Sequence, residues 1–400
     1  MSKARKLLII AGESSGELYG ALLAQEILHS NPESSIKGVG GKRMADAGVD
    51  LIAPIASAFG LTEALRALKA LRETFLKVKR VLDGHRPDLV VLIDYPDFNF
   101  KVAQEAKKRG IPVLYYVSPQ VWAWRPKRVY TIGRLSDMIA LILPFEEQIY
   151  RQLSVRCEFV GHPALDEIEQ YLIKRDMSLS VLSDTAFKEP LKRALGVDYG
   201  PFIALLPGSR RHEIETLLPV IVDSAMKIRE TFRDVTFIMP VAPNIDNTTG
   251  EFILNRVAPI KDRLIISKGD AIGALAAADL AIIASGTATF QAALLNVPMV
   301  VIYKVSALSY FIGRLLIKVN HIALADVLLE KCFPNEAPTM IKEFMQSAVK
   351  VKNILAEIDR LINDRDYYNG MLKSFQMVRS LFLNHRASKR VAEIIEEMLS

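Results

Sequence analysis

Eight short apolar runs recur along the chain: Leu7 to Ile10, Leu89 to Ile93, Val113 to Val117, Met138 to Leu143, Phe202 to Leu206, Val235 to Met239, Leu280 to Ala284 and Met299 to Tyr303. Helical patterns fill the intervals. Parallel strands need a crossover, usually a helix, so this alternation predicts parallel α/β sheets. At 400 residues the chain exceeds what one core serves, and residues 166 to 200, rich in Asp, Lys and Ser, hold no strand candidate. The expected fold class is therefore α/β, with two doubly wound domains facing a cleft. Boundaries are expected at 1–170 and 171–365. After Ile341 the pattern reads as helical, and the helices of 366–400, where Val391, Ile394, Ile395 and Met398 share a face, are expected to pack back on the first domain.

Composition narrows the function. Half the residues are apolar and a quarter are charged, as in a folded globular protein. Cys157 and Cys332 lie far apart with no Cys-x-x-Cys or Cys/His spacing, so neither a disulfide framework nor a metal site is expected, and a reducing cytoplasm fits. MSKARKLLII has a basic head, but its apolar stretch ends at Gly12-Glu13 and reads as a first strand. The apolar region 271 to 303 is broken by Asp279, Gln291, Asn296 and Pro298, too often for a membrane span. A net charge of +6 without a nucleic-acid module or a basic tract with interleaved aromatics points to anionic substrates or an acidic membrane surface.

One helix carries part of that charge. Leu61, Ala64, Leu68, Leu71, Phe75, Val78 and Leu82 recur at 3,4 spacing, the stripe of a helix packed on its own sheet. Leu65 and Leu76 lie off the stripe among Arg66, Lys69, Arg72, Lys77, Lys79 and Arg80. Such a face either is ordinary basic surface or meets anionic lipid.

Candidate chemistry sits where strands end. AGESSGELYG (11–20) places Gly12, Ser14, Ser15 and Gly16 at the edge where open sheets bind ligands. Ser14 and Glu17 also have capping-box spacing, which leaves Glu13 unexplained. LVVLIDYPDFNF (89–100) puts Asp94 at the lip of a buried strand, a general base's position, while Asp97 suits the start of the following helix. SPQVWAWRPKR (118–128) combines Trp122 and Trp124 with Arg125, Lys127 and Arg128. That set suits a sugar or an acyl chain beside a phosphate, or packing between domains.

In the second half, LLPGSRRHE (205–213) offers donors from Gly208 and Ser209 and a forked cation from Arg210, with Glu213 opening a helix. ASGTATFQAAL (284–294) places Ser285, Gly286 and Thr287 at another helix start. Two anion-binding helix starts in one domain suggest a nucleoside diphosphate.

These stretches, together with GVGGKRMADAG (38–48), FGLTEAL (59–65), IDYPDFN (93–99), YYVSPQVWAWRPKRV (115–129), PFEEQIY (144–150) and FVGHPALD (159–166), run in one order over most of the chain. In that order they resemble the lipid-A-disaccharide synthase family of inverting glycosyltransferases. The resemblance implies a GT-B fold of two Rossmann-like domains, the first for acceptor and membrane, the second for the UDP-sugar. It implies UDP-2,3-diacylglucosamine as donor, 2,3-diacylglucosamine 1-phosphate as acceptor, and a β-1,6 product formed without metal or cofactor. It also implies peripheral attachment to the inner face of the cytoplasmic membrane, and leaves a homo-oligomer open. By the same resemblance Asp94 is the base for the acceptor 6-hydroxyl, and Arg210 neutralises the departing UDP. Ser285, Gly286 and Thr287 lie at the phosphates. Glu13, Ser15 and Gly16 line the sugars, and Asp97, Asn99, Trp122, Arg125, Gly208, Ser209, Gln291 and Asp326 complete the substrate contacts.

The chain departs from the family pattern at three places. Glu17 replaces an aspartate, Gln291 replaces a glutamate, and Leu324-Ala325-Asp326-Val327-Leu328 replaces Leu-Pro-Asn-Leu-Leu. The last two fall where the nucleotide is expected. They keep two other readings in view: a UDP-sugar enzyme of the same fold without lipid substrates, and a non-catalytic homologue that binds UDP or lipid.

Overall fold

The computed structural model describes residues 4–55, 61–124, 126–153, 155–243, 245–305, 320–334, 336 and 340–400, with the side chains of 61–68 and 124 left aside. The chain divides into two units, Met1–Glu167 with Asn384–Ser400, and Ile168–Leu383.

The first unit is built on a seven-stranded, wholly parallel sheet in the order β3-β2-β1-β4-β5-β6-β7. Its strands are β1 Lys6–Ala11, β2 Ser35–Gly40, β3 Asp50–Pro54, β4 Leu89–Ile93, β5 Val113–Tyr116, β6 Met138–Leu141 and β7 Cys157–Phe159. Helices cover the central strands, so Leu7 to Ala11 and Leu89 to Ile93 are wholly buried. The helix Leu61–Gly84 docks through Val78 and Leu82, with Leu71 and Phe75 against the same core, and leaves Leu76 exposed. Leu65 lies among the side chains outside the description. The last helix, Ala387–Leu399, belongs to this unit: Asp166 accepts the N–H groups of Ala387 and Ser388 at 3.2 and 2.7 Å, anchoring the helix at its positive end.

The second unit carries a six-stranded parallel sheet in the order β10-β9-β8-β11-β12-β13. The strands are β8 Phe202–Leu206, β9 Thr236–Val241, β10 Leu264–Lys268, β11 Leu280–Ala284, β12 Met299–Tyr303 and β13 Lys342–Met345. The helix Arg365–Ser380 packs here: Arg379 donates to the Leu294 carbonyl and to Asn296 Oδ1 at 3.1 and 2.7 Å.

Two sequence expectations need correction. The tail after Ile341 is not purely helical, because β13 adds an edge strand before the helices begin. The Ser14–Glu17 capping box does not form either. Glu13 is the cap residue of the helix Ser14–Ser30 without a side-chain cap bond, and Glu17 Oε1 instead accepts the Arg43 N–H at 2.8 Å. Glu17 thus caps the neighbouring helix Lys42–Asp46, and a Cβ on Gly41 would stand 2.5 Å from its carboxylate.

Candidate functional site

In the first sheet the strand order reverses between β1 and β4, whose ends are in register at Ala11 and Ile93. Ligands of open parallel sheets bind outside such a switch point. The β1 turn approaches the β4 turn so closely that a Cβ on Gly12 would lie 2.1 Å from the Tyr95 ring. Asp94 and Tyr95 both take left-handed backbone, at φ 45° and 49°, and so does Val117 after β5, at 63°. Each such residue costs about 1–3 kcal/mol, most for a β-branched side chain, and strain of this kind gathers at functional turns.

Several bonds hold Asp94 there. Its carbonyl accepts from Tyr115 Oη at 2.8 Å and Asn99 Nδ2 at 2.7 Å, and its N–H donates to the carbonyls of Val117 and Tyr116 at 3.2 and 3.3 Å. Asn99 is 0% exposed and also bonds the Ile93 carbonyl, so it supports the turn from beneath. Burial, with Glu13 as second cause, raises the Asp94 carboxyl to about 6. An acid of that strength is still largely ionised at pH 7 yet more basic than a free aspartate.

Around this turn Glu13 is exposed, Ser15 half-buried, and Gly16 buried against Ile93. Asp97 is exposed in the first turn of Pro96–Lys108 and pairs with Arg128. Trp122 is half-buried, its indole N–H donating to Glu146 Oε1 at 3.0 Å. Arg125 lies outside the described residues.

The second sheet reverses between β8 and β11, and both expected anion loops follow these strands. Gly208 has φ +106°, and a Cβ there would meet Glu213 Oε2 at 2.5 Å. That oxygen accepts the N–H groups of Ser209 and Arg210 at 3.2 and 3.3 Å, so Glu213 already holds the Ser209 backbone donor of the expected cradle and the Arg210 N–H beside it. Its other oxygen lies 3.6 Å from Arg210 Nη1, and the Arg210 side chain is 48% exposed. On the neighbouring loop Ser285 is half-buried, and Gly286 and Thr287 are exposed at the start of Thr287–Leu294. A Cβ on Gly286 would meet nothing within 4 Å, so there is open space before that helix. Gln291 is buried one turn further along.

Asp326 is fully buried and accepts the Ile341 N–H at 3.0 and 3.2 Å; burial lifts its carboxyl to about 7. It ties the helix Leu324–Cys332 to the approach of β13. His321, Asp326 and Glu343 offer ligand atoms within 4.8 Å of one another, but Glu343 caps the Ile322 and Ala323 N–H groups and both carboxylates have these structural partners.

Three groups near the turns carried no assigned role in the sequence reading. Tyr115 holds the Asp94 carbonyl, and Glu146 holds Trp122 from within a stretch quoted only for resemblance. Tyr303 ends β12, where Glu213 and Arg210 both act on its hydroxyl's acidity. An aromatic at a strand end was the available signal for Tyr303; the other two needed the fold.

Residues 7–392 match the family model for lipid-A-disaccharide synthetase. A lipid-A-disaccharide synthase from Syntrophus aciditrophicus is 41% identical over 388 residues, covering 96% of each chain. Among solved structures, the UDP-GlcNAc 2-epimerase from Neisseria meningitidis bound to UDP-GlcNAc is similar at TM-score 0.61 and 15% identity, over 98% of this chain and 100% of its own. A glycotransferase of kitacinnamycin is similar at 0.63 and 13%, over the whole of both chains. At such identities the structural likeness establishes the fold, a two-domain α/β architecture shared with sugar-nucleotide epimerases and glycosyltransferases.

Proposed function

The chain belongs to the lipid-A-disaccharide synthetase family, hexosyltransferases that build the lipid A disaccharide, and from that premise we propose its substrates and the roles of its residues. The donor is UDP-2,3-diacylglucosamine and the acceptor 2,3-diacylglucosamine 1-phosphate. The acceptor 6-hydroxyl oxygen attacks the donor anomeric carbon from the face opposite UDP, the bond to the diphosphate breaks, and the configuration inverts. Asp94 takes the hydroxyl proton. Charge gathers on the leaving diphosphate, where Arg210 and the start of Thr287–Leu294 stabilise it.

The observation that carries this reading is the Asp94 turn: a desolvated carboxyl raised to about 6, on strained backbone at a switch point. The second unit is read as the UDP-sugar domain, supported by two strand-end loops with an exposed guanidinium and open space before a helix start. The bound UDP-GlcNAc of the Neisseria structure supports a uridine nucleotide. The first unit is read as the acceptor and membrane side. Exposed Leu76 beside exposed Lys69, Arg72 and Lys77 supports peripheral contact with anionic lipid at the inner face of the cytoplasmic membrane, and no described helix is long and apolar enough to cross a membrane.

Mass spectrometry of products tests the reading. Incubation with the two lipid substrates should give UDP and a tetraacyl disaccharide 1-phosphate. Conversion of UDP-GlcNAc to its 2-epimer instead, without lipid product, would favour the epimerase-like reading that the fold also allows.

A further inference from the structure

The Trp122 stretch, which suits a sugar or an acyl chain by sequence and has no step in the reaction proposed above, borders a recess. The short helices Val121–Trp124, Arg128–Leu135 and Glu146–Arg151 border a shallow, open recess of about 320 Å³. Val121, Trp122, Pro126, Val129, Tyr130 and Ile149 form its wall, and Lys127 adds the only charge among the described lining residues. Tyr130 is 65% exposed, so the recess opens to the surface.

Its aromatic wall is fixed. The Trp122 indole N–H donates to Glu146 Oε1 at 3.0 Å, and its ring meets Phe145 edge-on at 5.1 Å between centroids. Glu146 is 1% exposed, and its second oxygen, Oε2, is buried without a hydrogen-bond partner. Burial pushes this carboxyl up to about 8, so it stays a neutral acid at pH 7 and brings no charge beside an apolar cavity. Asp94 is among the charges that act on Glu146, after burial and the bonds from Trp122 and Leu143.

The lining chemistry selects the occupant. A sugar needs several converging polar partners, since each buried hydroxyl left unbonded is costly. Here the wall offers one phenol and one ammonium. A hydrocarbon chain needs apolar walls, and an anionic head beside it meets Lys127 at the rim. We propose that this recess binds one acyl chain of the lipid substrate, with Trp122 as its fixed wall and Lys127 meeting the anionic head group. The assignment rests on the lipid-substrate reading above and gives one chain a place in it. Each methylene withdrawn from water there should tighten binding about fourfold.

The test compares long-chain and short-chain versions of 2,3-diacylglucosamine 1-phosphate and its UDP derivative on the full chain. Tyr130→Asp puts a charge in the opening at an exposed position, and Ile149→Trp fills the recess from inside; thermal melts check that both fold. Both should raise KM for the long-chain pair about tenfold or more and for the short-chain pair far less. Equal shifts for the two chain lengths, or none, would overturn the proposal. A binding readout separates it from the reading it rests on. In Trp124→Phe, Trp122 is the remaining tryptophan, and acceptor carrying brominated acyl chains should quench its emission, with the quenching lost on adding Tyr130→Asp. Disaccharide formed without quenching removes the recess and keeps the substrates. Quenching without disaccharide keeps the recess as a lipid site and removes the transferase reading.

Discussion

The two units solve the switch-point problem in opposite ways. In the first, the turn after β4 is drawn inward: Asp94 is desolvated, its carbonyl is held by Tyr115 and Asn99, and a second acid, Glu146, is buried nearby. In the second, the turns after β8 and β11 face outward, with Ser209, Arg210, Gly286 and Thr287 all exposed. Desolvation raises a carboxyl's pKa and makes its anion a better base. An exposed guanidinium keeps its charge and meets an incoming anion without a prior burial cost. On the function proposed above, one sheet topology serves a proton-transfer site and an anion site, according to whether its turns fold in or out.

The largest effect should come from neutralising the inward turn. Asp94→Asn should lower turnover on the order of 10²-fold or more, the usual share of a general base, with UDP affinity preserved. Normal turnover in that variant would erase the contrast from the first unit's side. The same unit is read as the membrane side. Reversing Lys69, Arg72 and Lys77 should weaken binding to anionic vesicles by at least roughly 10²-fold, since the three lost attractions at about 1 kcal/mol each account for that much before the added repulsion. Reversing Lys227, exposed on the second unit, should leave co-sedimentation unmoved. Equal losses from both units would remove the assignment of sides.

Arg210→Ala tests the outward turn. Charged hydrogen bonds contribute about 1.5–3 kcal/mol, and water reaches this guanidinium, so the loss of UDP affinity by calorimetry should lie near tenfold. The smallest expected effect is at Glu13. Its charge is the second cause of the Asp94 shift, after burial, so Glu13→Gln should move the acid limb of the rate profile to lower pH by a fraction of a unit. No movement would leave burial as the whole cause.

The eight interior runs were legible because each is buried on both faces and reads as continuous apolar sequence. The strands that escaped notice are four sheet edges and one crowded interior strand. β3, β7, β10 and β13 are half-exposed and mix charge with apolar residues, as edges do. β2 contains Gly38 and Gly40, where a Cβ would meet the Ile9 carbonyl at 2.8 Å and Met44 Sδ at 2.3 Å, so close packing displaced the β-formers that would have marked it. At the site, Asp94 was legible as a carboxylate closing an apolar run. Its support from Tyr115 was not, since that tyrosine lies 21 positions away and acts only once β4 and β5 lie side by side; the Glu146 contact to Trp122, 24 positions apart, likewise needed the fold. Glu17 misled because its local spacing satisfied a capping box while a partner 26 positions away claimed the carboxylate.

The account depends most on Asp94 being the group that accepts the proton. The decisive measurement is kcat/KM for disaccharide formation from about pH 4.5 to 8, with product read by mass spectrometry, for the natural chain and Asp94→Asn. A carboxylate base raised to about 6 must lose its proton before it can work, so the rate should rise with pH, with a midpoint near 6, and the residual rate of Asp94→Asn should lack that limb. A limb that persists in Asp94→Asn, or a natural chain whose rate is flat across this range, would contradict the account.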